Sequence, residues 1–437
     1  MSMGSKHRDG GGGAISGRQV VAALDIGSTK IVCLIGKPMQ ERGQRVGNGA
    51  MRRMRIMGVG YQPAAGVRAG AIVDMEAAER AIRAAVDQAE RMARMTVNSV
   101  VATLSCGRVS GESFEIESPV AGEQVDQQAV QHLLKAGFDY AQVKGRTILH
   151  VVPMAFSLDG NRGIEDPHGL FGKQLSASIH VVSTDSAALR NLTACIERCH
   201  LFVEGFAATP YVAGLTSLLD DEFRLGATCL DMGGERTSAA VFHKGKLVYA
   251  TSVALGGHHI TMDIARGLST SIAHAERLKT FYGSALPSAA DDNEMIEVKA
   301  IGDDEGHESS RIPRSVLTGI IGPRQEEILE LIRERLEENG FSGGANSRLV
   351  LTGGACQLTG ARELAGRILN RQARQAQVQY VSGLPEAARV PAFASCAGLL
   401  LHSQIEESQF DIDEQPTALR AGAGYLSRVG HWIRENF

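Results

Sequence analysis

A chain of 437 residues is longer than one core of ordinary size, so two or more packed units are expected. With 43% hydrophobic residues, 22% charged residues and a formal charge of -4, the composition is that of an ordinary soluble protein, without the excess of positive charge that favours nucleic acid. No run reaches the roughly 18 apolar residues that span a bilayer, and the seven cysteines, odd in number and set mostly in apolar runs, read as buried reduced thiols.

In chain order, "MSMGSKHRDGGGGAISG" is glycine-rich and polar, lacks the apolar centre of a secretory signal, and is expected to be a disordered arm over 1–17. "VVAALDIGSTKIVCLIG", 20–36, is a hairpin pattern with an aspartate, a glycine and a polar turn at its tip, and "IMGVGYQPAAGVRAGAIV" continues as strand and loop. In "DMEAAERAIRAAVDQAERMARM", 74–95, Met75, Ala78, Ile82, Ala85, Ala89 and Met92 recur at helical spacing behind a capping Asp74. From 100 to 182 short strand-like pieces ("VVATLSC", "RTILHVVPMAFSL", "QLSASIHVVS") surround one helix near "DQQAVQHLLKAGFDYA", which predicts a small inserted α+β domain. "TDSAALRNLTACIERC" is a helix that places Cys195 and Cys199 on one face. A structural zinc needs four ligands, and no second Cys/His cluster supplies them.

The second half restarts with "ATCLDMGGERTSAAVF", which repeats the apolar, Asp, Gly, polar turn, apolar order of the first hairpin, and adds a third strand "KLVYATSVAL". "LPSAADDNEMIEVKAIGDDEGHESSRIPRS", 286–315, is expected to be a surface segment with a short strand inside it. "GPRQEEILELIRERLEENG" predicts a helix with Pro323 in its first turn, an inner stripe of Ile328, Leu331, Ile332 and Leu336, and an end at Asn339 and Gly340. "RLVLTGGACQLTGARELAGRIL" reads as strand, glycine turn, helix. "GFSGG", 340–344, matches the serine-hydrolase G-x-S-x-G pattern but follows a helix and precedes a strand, the reverse of a nucleophile elbow.

Three glycine turns stand out: Asp25 to Lys30, Asp231 to Thr237, and Thr352 to Gly354. Each alone is compatible with a plain Asp-Gly hairpin. Together, at the starts of two similar halves, they suggest a polyphosphate cleft, because glycine lets backbone N–H groups approach a phosphate and a small hydroxyl adds a donor. Carboxylates repel bare phosphate, so Asp25 and Asp231 fit such a site if a Mg²⁺ ion lies between them. Glu235 and Arg236 put a bulky charged pair in the second turn, where Arg236 is a possible direct phosphate contact.

Taken together, "LDIGSTK", "LDMGGERTS" and "LVLTGGACQLTG" resemble the two phosphate loops and the adenosine-side turn of the actin and Hsp70 ATPase superfamily. Within it the chain most resembles the FtsA family of bacterial cell-division proteins, most densely in "ALGGHHITMDIARGLSTSIAHAERLKTFYG" and "IPRSVLTGIIGPRQEEILELIRERL". The resemblance implies an α/β, actin-like, two-lobed ATPase fold of two RNase H-like halves with an inserted α+β subdomain 1C. The implied boundaries are 18–101, 182–216 and 387–404 for subdomain 1A, 102–181 for 1C, 217–256 and 325–386 for 2A, and 257–324 for 2B.

It further implies ATP as ligand, with Gly27, Ser28, Thr29, Lys30, Gly233, Gly234, Thr237 and Gly257 around the phosphates and Asp25 and Asp231 holding Mg²⁺ through water. Glu276 and Lys279 resemble ribose and adenine contacts, with a solvated helix face as the plain alternative, and Gly353 and Gly354 would pass the adenosine and α-phosphate. Hydrolytic relatives carry a Glu-Pro pair, whereas here Thr209 precedes Pro210 and cannot act as a base near neutral pH, so at most weak ATPase activity is expected. The implied role is a filament on the inner face of the cytoplasmic membrane at the division septum, tethering the tubulin-like FtsZ and recruiting later division proteins. FtsZ's C-terminal peptide would dock on 2B, where Arg311, Arg314 and Arg324 are either its contacts or ordinary surface arginines. Another actin-like membrane adaptor of the pilus-assembly type, or a small-molecule kinase on the same core, is the alternative.

The tail fits that role. After an expected linker over 405–424, "YLSRVGHWIRENF" drawn as a helix gathers Tyr425, Leu426, Val429, Trp432, Ile433 and Phe437 on one face and Arg428, His431, Arg434 and Glu435 on the other. That is the pattern of a helix lying in a membrane interface, with docking on the protein's own core as the plain alternative. The family resemblance agrees with a membrane foot over 425–437.

Overall fold

The computed structural model describes residues 20–39, 52–105, 108–301, 310–344 and 347–404. The expected N-terminal arm, the linker, Cys106 and the terminal helix with Leu426, Val429, Trp432, Ile433 and Phe437 lie outside the described residues.

The first half begins with three antiparallel strands, β1 (Val21–Ile26), β2 (Lys30–Pro38) and β3 (Met54–Pro63), followed by a two-residue hairpin of β4 (Val67–Arg68) and β5 (Ala71–Ile72). Helix α1 (Met75–Ala93) packs on β3, and the Asp74 side chain accepts the Ala77 N–H as its N-cap. Its inner stripe is Ala78, Ile82, Ala85, Val86 and Ala89; Met92, assigned to the stripe from spacing, is 49% exposed. Strand β6 (Ser99–Leu104) then pairs parallel to β1.

The chain next leaves for the insert: β7 (Ser110–Pro119), α2 (Gln127–Tyr140), β8 (Arg146–Leu158), β9 (Asn161–Ile164) and β10 (Gln174–Asp185). They form a separate sheet of order β7-β10-β8-β9 with its own core under α2. The insert therefore begins after Leu104 rather than at 102, because parallel pairing keeps the whole of β6 in the first sheet. Helix α3 (Ser186–Arg198) and strand β11 (Phe202–Ala208) complete the first sheet, of order β11-β6-β1-β2-β3.

Helices α4 (Thr209–Ser217) and α5 (Asp220–Leu225) lead to the second half. There β12 (Ala227–Met232), β13 (Thr237–His243) and β14 (Lys246–Val253) repeat the antiparallel trio. Helices α6 (Gly257–Gly267) and α7 (Ile272–Tyr282), strands β15 (Met295–Val298) and β16 (Ser310–Pro313) and the first turns of α8 (Arg314–Glu338) surround a small apolar core of their own. Pro323 is interior to α8 rather than in its first turn. The ring leaves the Gly319 carbonyl without its helical donor, and Gly319 is exposed to solvent. Ile328, Ile332 and Leu336 are buried as expected, together with Leu329, whereas Leu331 is only partly covered.

Strands β17 (Arg348–Thr352) and β18 (Gln372–Gln375), with α9 (Ala361–Ile368) between them, complete the second sheet, of order β14-β13-β12-β17-β18. Both sheets thus run third, second, first, fourth, fifth strand, and the sequence repeat lies on the equivalent pairs β1-β2 and β12-β13. The chain returns to the first half with β19 (Val381–Ser382), parallel to β3, and α10 (Ala394–His402). The second lobe thus ends before 381, earlier than the expected 386. Helices α4 and α10, covered on nearly every side, cross between the two sheets. Among the described residues no helix is long and apolar enough to cross a membrane.

Candidate functional site

The two repeat hairpins end in turns of the same build. In the first the Gly27 N–H donates to the Lys30 carbonyl at 3.0 Å, and in the second the Gly233 N–H donates to the Arg236 carbonyl at 2.9 Å. The turns face each other closely enough that a Cβ on Gly234 would stand 2.3 Å from the Thr29 methyl carbon. Glycine is likewise required at 353, where φ is +83° and a Cβ would meet Asp231 Oδ1 at 2.5 Å. Between and beside these turns lies a cleft of about 1090 Å³, lined by Asp25, Gly27, Ser28, Thr29, Lys30, Asp231, Gly233, Gly234, Arg236, Gly257, Glu276, Lys279, Gly353 and Gly354. The residues assigned to the nucleotide and Mg²⁺ by the sequence therefore share one cleft, except Thr237. That residue is buried at the start of β13, with its hydroxyl donating to the Leu255 carbonyl at 2.9 Å, because the strand alternation turns it inward.

The floor of the cleft holds a charged triad. Burial pushes the Asp25 carboxyl above the usual carboxylate range, against the lowering effect of a 2.6 Å hydrogen bond from Thr103 Oγ1 and of Lys30. Burial and then the neighbouring Asp25 push Asp231 up to about 7, while Lys30 opposes them. Lys30 itself is pulled below the usual lysine range by burial and held up by the two aspartates. It donates to the Ala392 carbonyl and lies 4.9 Å from the Phe393 ring centre.

Two carboxylates on the cleft floor thus face one cation, and ionising both leaves the floor negative. That donor set fits a divalent cation bridging to phosphate oxygens. Among the described residues no group of three or more His, Cys, Asp or Glu side chains is gathered to hold a metal. An Mg²⁺ ion here would therefore complete its shell with water and ligand oxygens, as it commonly does.

The far end is polar and preorganised. Lys279 Nζ donates to Gly257 O at 3.0 Å, Thr261 Oγ1 at 2.8 Å and Glu276 at 2.7 Å, and Thr261 Oγ1 donates to the same carboxylate at 2.5 Å. Burial works to raise the Glu276 pKa, but the bonds from Lys279 and Thr261 outweigh it and hold the group below the usual carboxylate range. Glu276 and Lys279 are thus joined to the first turns of α6 rather than standing as a loose solvated pair, and a ribose or base edge would meet a fixed set of donors and acceptors.

Several side chains depart from expectation. Arg236 reaches across the cleft mouth, donating to Ala69 O at 3.3 Å and Ser252 Oγ at 3.2 Å, and Glu235 accepts the Ala69 N–H. The charged pair thus engages the opposite lobe. Thr209 lines the cleft at 6% exposure, and its hydroxyl has no partner among the described residues. No carboxylate stands at that position to activate water.

Of the three arginines, Arg314 is tied to Glu294 at 2.9 Å, Asp291 at 3.5 Å and the Tyr282 carbonyl at 2.8 Å, while Arg324 is tied to Asp263 at 2.5 Å and to Glu327. Both are internal struts, because Asp291, Glu294 and Asp263 reach them from neighbouring segments of the same subdomain. Arg311 is exposed on β16.

Sequence reading missed Thr103, the residue that bonds Asp25. The repeat carries a signal for it: Thr352, its equivalent on β17, pairs with Asp231 as β6 pairs alongside β1.

Comparison with known proteins gives concordant matches. Residues 228–398 match the family model described as cell division protein FtsA, and 106–183 match the SHS2 domain inserted in FtsA. Cell division protein FtsA of Agrobacterium fabrum is 42% identical over 420 residues, covering 96% of this chain and 95% of its own. The Rhizobium meliloti protein is 43% identical over 419 residues, with the same coverages, and the Escherichia coli protein 27% identical over 427, covering 96% and 99%. Among solved structures, the PilM-PilN type IV pilus biogenesis complex superposes with a TM-score of 0.60 at 17% identity, covering 87% of this chain and 98% of the matched one. MreB5 of Spiroplasma citri bound to ADP superposes at 0.51 with 13% identity, covering 89% and 97%. These likenesses establish an actin-like fold carrying the inserted domain.

Proposed function

The chain belongs to the FtsA family of bacterial cell-division proteins, and from that premise we propose that it is an ATP-binding, actin-like protein that polymerises on the inner face of the cytoplasmic membrane, tethers FtsZ and helps recruit later division proteins. The observation that carries the nucleotide part is the pairing of Asp25 and Asp231 on the floor of a glycine-turn cleft, each raised in pKa by burial. In this reading Asp25 and Asp231 would hold Mg²⁺ through water, and the ion would supply charge neutralisation for the phosphates. The N–H groups of the two turns and the hydroxyls of Ser28 and Thr29 orient the phosphates, Lys30 lies between the carboxylates, and Glu276 and Lys279 meet the nucleoside. With Thr209 in place of a base, occupancy closes the cleft and sets a shape for self-association while turnover stays slow.

Membrane attachment rests on the sequence of 425–437, with Leu426, Val429, Trp432, Ile433 and Phe437 as the apolar face. Half-burying five or six such side chains at roughly 25 cal/mol per Å² gives only several kcal/mol before ordering costs, which is reversible attachment. A filament presents many feet at once, so polymerisation and membrane binding reinforce each other. FtsZ's tail peptide would dock on the subdomain around α6, α7 and the β15-β16 hairpin, with Arg311 as the arginine available to its acidic groups. Co-sedimentation with anionic vesicles tests the assembly. Full-length chain should pellet, more so with ATP and Mg²⁺, and a version lacking 425–437 should not; equal pelleting of both removes the foot from the account. A pilus-type adaptor shares the fold, and anisotropy with a labelled FtsZ tail peptide separates the two, since only the division role predicts saturable binding.

A further inference from the structure

The second phosphate turn departs from the first in one respect that position alone does not explain. Lys30 and Arg236 close equivalent turns, yet Lys30 turns down between the aspartates and Arg236 turns out across the cleft mouth. Its target is the tip of the β4-β5 hairpin in the other lobe. There Ala69 and Gly70 are consecutive left-handed residues, φ +47° and +77°, a two-residue type I′ loop in which alanine is a disfavoured first residue. Both sides of Ala69 are held from the second lobe: its N–H donates to the Glu235 carboxylate and its carbonyl accepts from Arg236. The next N–H, of Gly70, donates to Ser28 Oγ of the first turn at 3.1 Å. The hairpin tip is thereby fastened to both turns at once. Glu235 is set 166 residues from Ala69 along the chain, so nothing local enforces the contact.

We propose that Glu235 and Arg236 form an interlobe clasp that holds the β4-β5 hairpin across the phosphate end of the cleft and thereby controls the rate at which nucleotide enters and leaves. The inference rests on the nucleotide reading of the cleft and adds its gate. The carboxylate of Glu235 takes the Ala69 N–H from the opposite lobe, and Arg236, next to it in the chain, bonds the carbonyl of the same residue. The lobes cannot part at this end without breaking these bonds, and a polyphosphate lying between the turns cannot leave while they hold. Ser28 couples the gate to occupancy, since the hydroxyl that accepts from Gly70 is one of the groups lining the phosphate end. Glu235 and Arg236 are positioning residues in this scheme.

The test uses full-length protein. Stopped-flow chase of a fluorescent ATP analogue should show dissociation faster by roughly ten- to a hundredfold in Glu235→Ala and in Arg236→Ala, the weight of a hydrogen bond to a charged group. Glu235→Gln, whose amide oxygen can still accept from Ala69, should recover most of the slow rate. Hydrogen exchange of the 67–74 segment without nucleotide is the second readout: the Ala69 amide should exchange faster in Glu235→Ala and near the wild-type rate in Glu235→Gln. Off-rates within twofold of wild type in both alanine variants, or unchanged exchange at Ala69, overturn the clasp. If wild-type protein binds no nucleotide, the reading of the cleft fails, and the exchange experiment still decides whether the clasp exists. Should Arg236→Ala not fold, the two Glu235 variants decide alone.

Discussion

Replacing Gly398 with alanine is expected to weaken both the fold and the cleft. Gly398 lies where α10 crosses α4, and a Cβ there would stand 1.8 Å from the Val212 carbonyl oxygen and 2.6 Å from its carbonyl carbon. A carbon needs about 3.3 Å from such an oxygen, so the two helices must part by about 1.5 Å. Because backbone is the obstacle on both sides, the upper end of the overpacking range applies, about 3 kcal/mol. The higher helix propensity of alanine returns about 1 kcal/mol, leaving a net loss of about 2 kcal/mol.

The same shift reaches the cleft, since α4 begins at Thr209 and α10 follows Ala392, the carbonyl partner of Lys30. Gly319→Ala is the control: it is exposed in α8 and, its own helix backbone aside, no heavy atom of the described residues lies within 4 Å of its Cβ position, so it should gain about 1 kcal/mol and leave ligand affinity unchanged. Guanidinium unfolding of both variants beside the wild type measures the contrast. Equal midpoints for Gly398→Ala and wild type would refute the packing argument.

Gln325 is fully buried in α8, and neither of its amide atoms has a partner among the described residues, so Gln325→Leu should raise stability by about 1–2 kcal/mol in thermal or denaturant unfolding; a loss would mean the amide has a partner. His180 is fully buried, shares a 2.9 Å hydrogen bond with Ser113, and is pushed down to about 4 by burial and then by His150. The unfolded chain therefore takes up this proton first, and stability falls by about 3 kcal/mol as pH drops from about 6.5 to 4. The difference in stability between wild type and His180→Gln should carry that slope, and a flat difference rules it out. Asp231, raised to about 7, is protonated in the fold over a range where the unfolded chain is ionised. Its stabilisation is complete below about pH 4 and is lost as pH rises through 7, so ligand-free Asp231→Asn should melt higher than wild type at pH 8. A lower melting temperature contradicts the burial penalty on the Asp231 carboxylate.

What could be read from sequence was what is periodic or local. Asp74 and the Ala78, Ile82, Ala85 and Ala89 stripe specify α1 without help from the rest of the chain. The twin hairpins showed themselves because strand, aspartate and glycine recur in the same order, and both of their turns line the cleft. What was missed depends on partners far along the chain. Pro323 reads as a helix start, yet burial of Leu317 and Ile321 extends α8 back to Arg314. Arg314 and Arg324 read as free surface charges until Asp291, Glu294 and Asp263 fold beside them. The direction of Glu235 and Arg236 is set by the tip of a hairpin in the other half. Residue type gave their charge but not the lobe they would hold.

The central claim is that Asp25 and Asp231 bind a magnesium-charged triphosphate between the two glycine turns. Titrating fluorescent ATP into the full chain with Mg²⁺ and with chelator tests it most directly. The account predicts saturable binding that Mg²⁺ tightens by about tenfold or more, worth about 1.4 kcal/mol, and that Asp25→Asn/Asp231→Asn renders indifferent to the metal. No saturable binding, or binding equally tight without Mg²⁺ in the wild type, would contradict it.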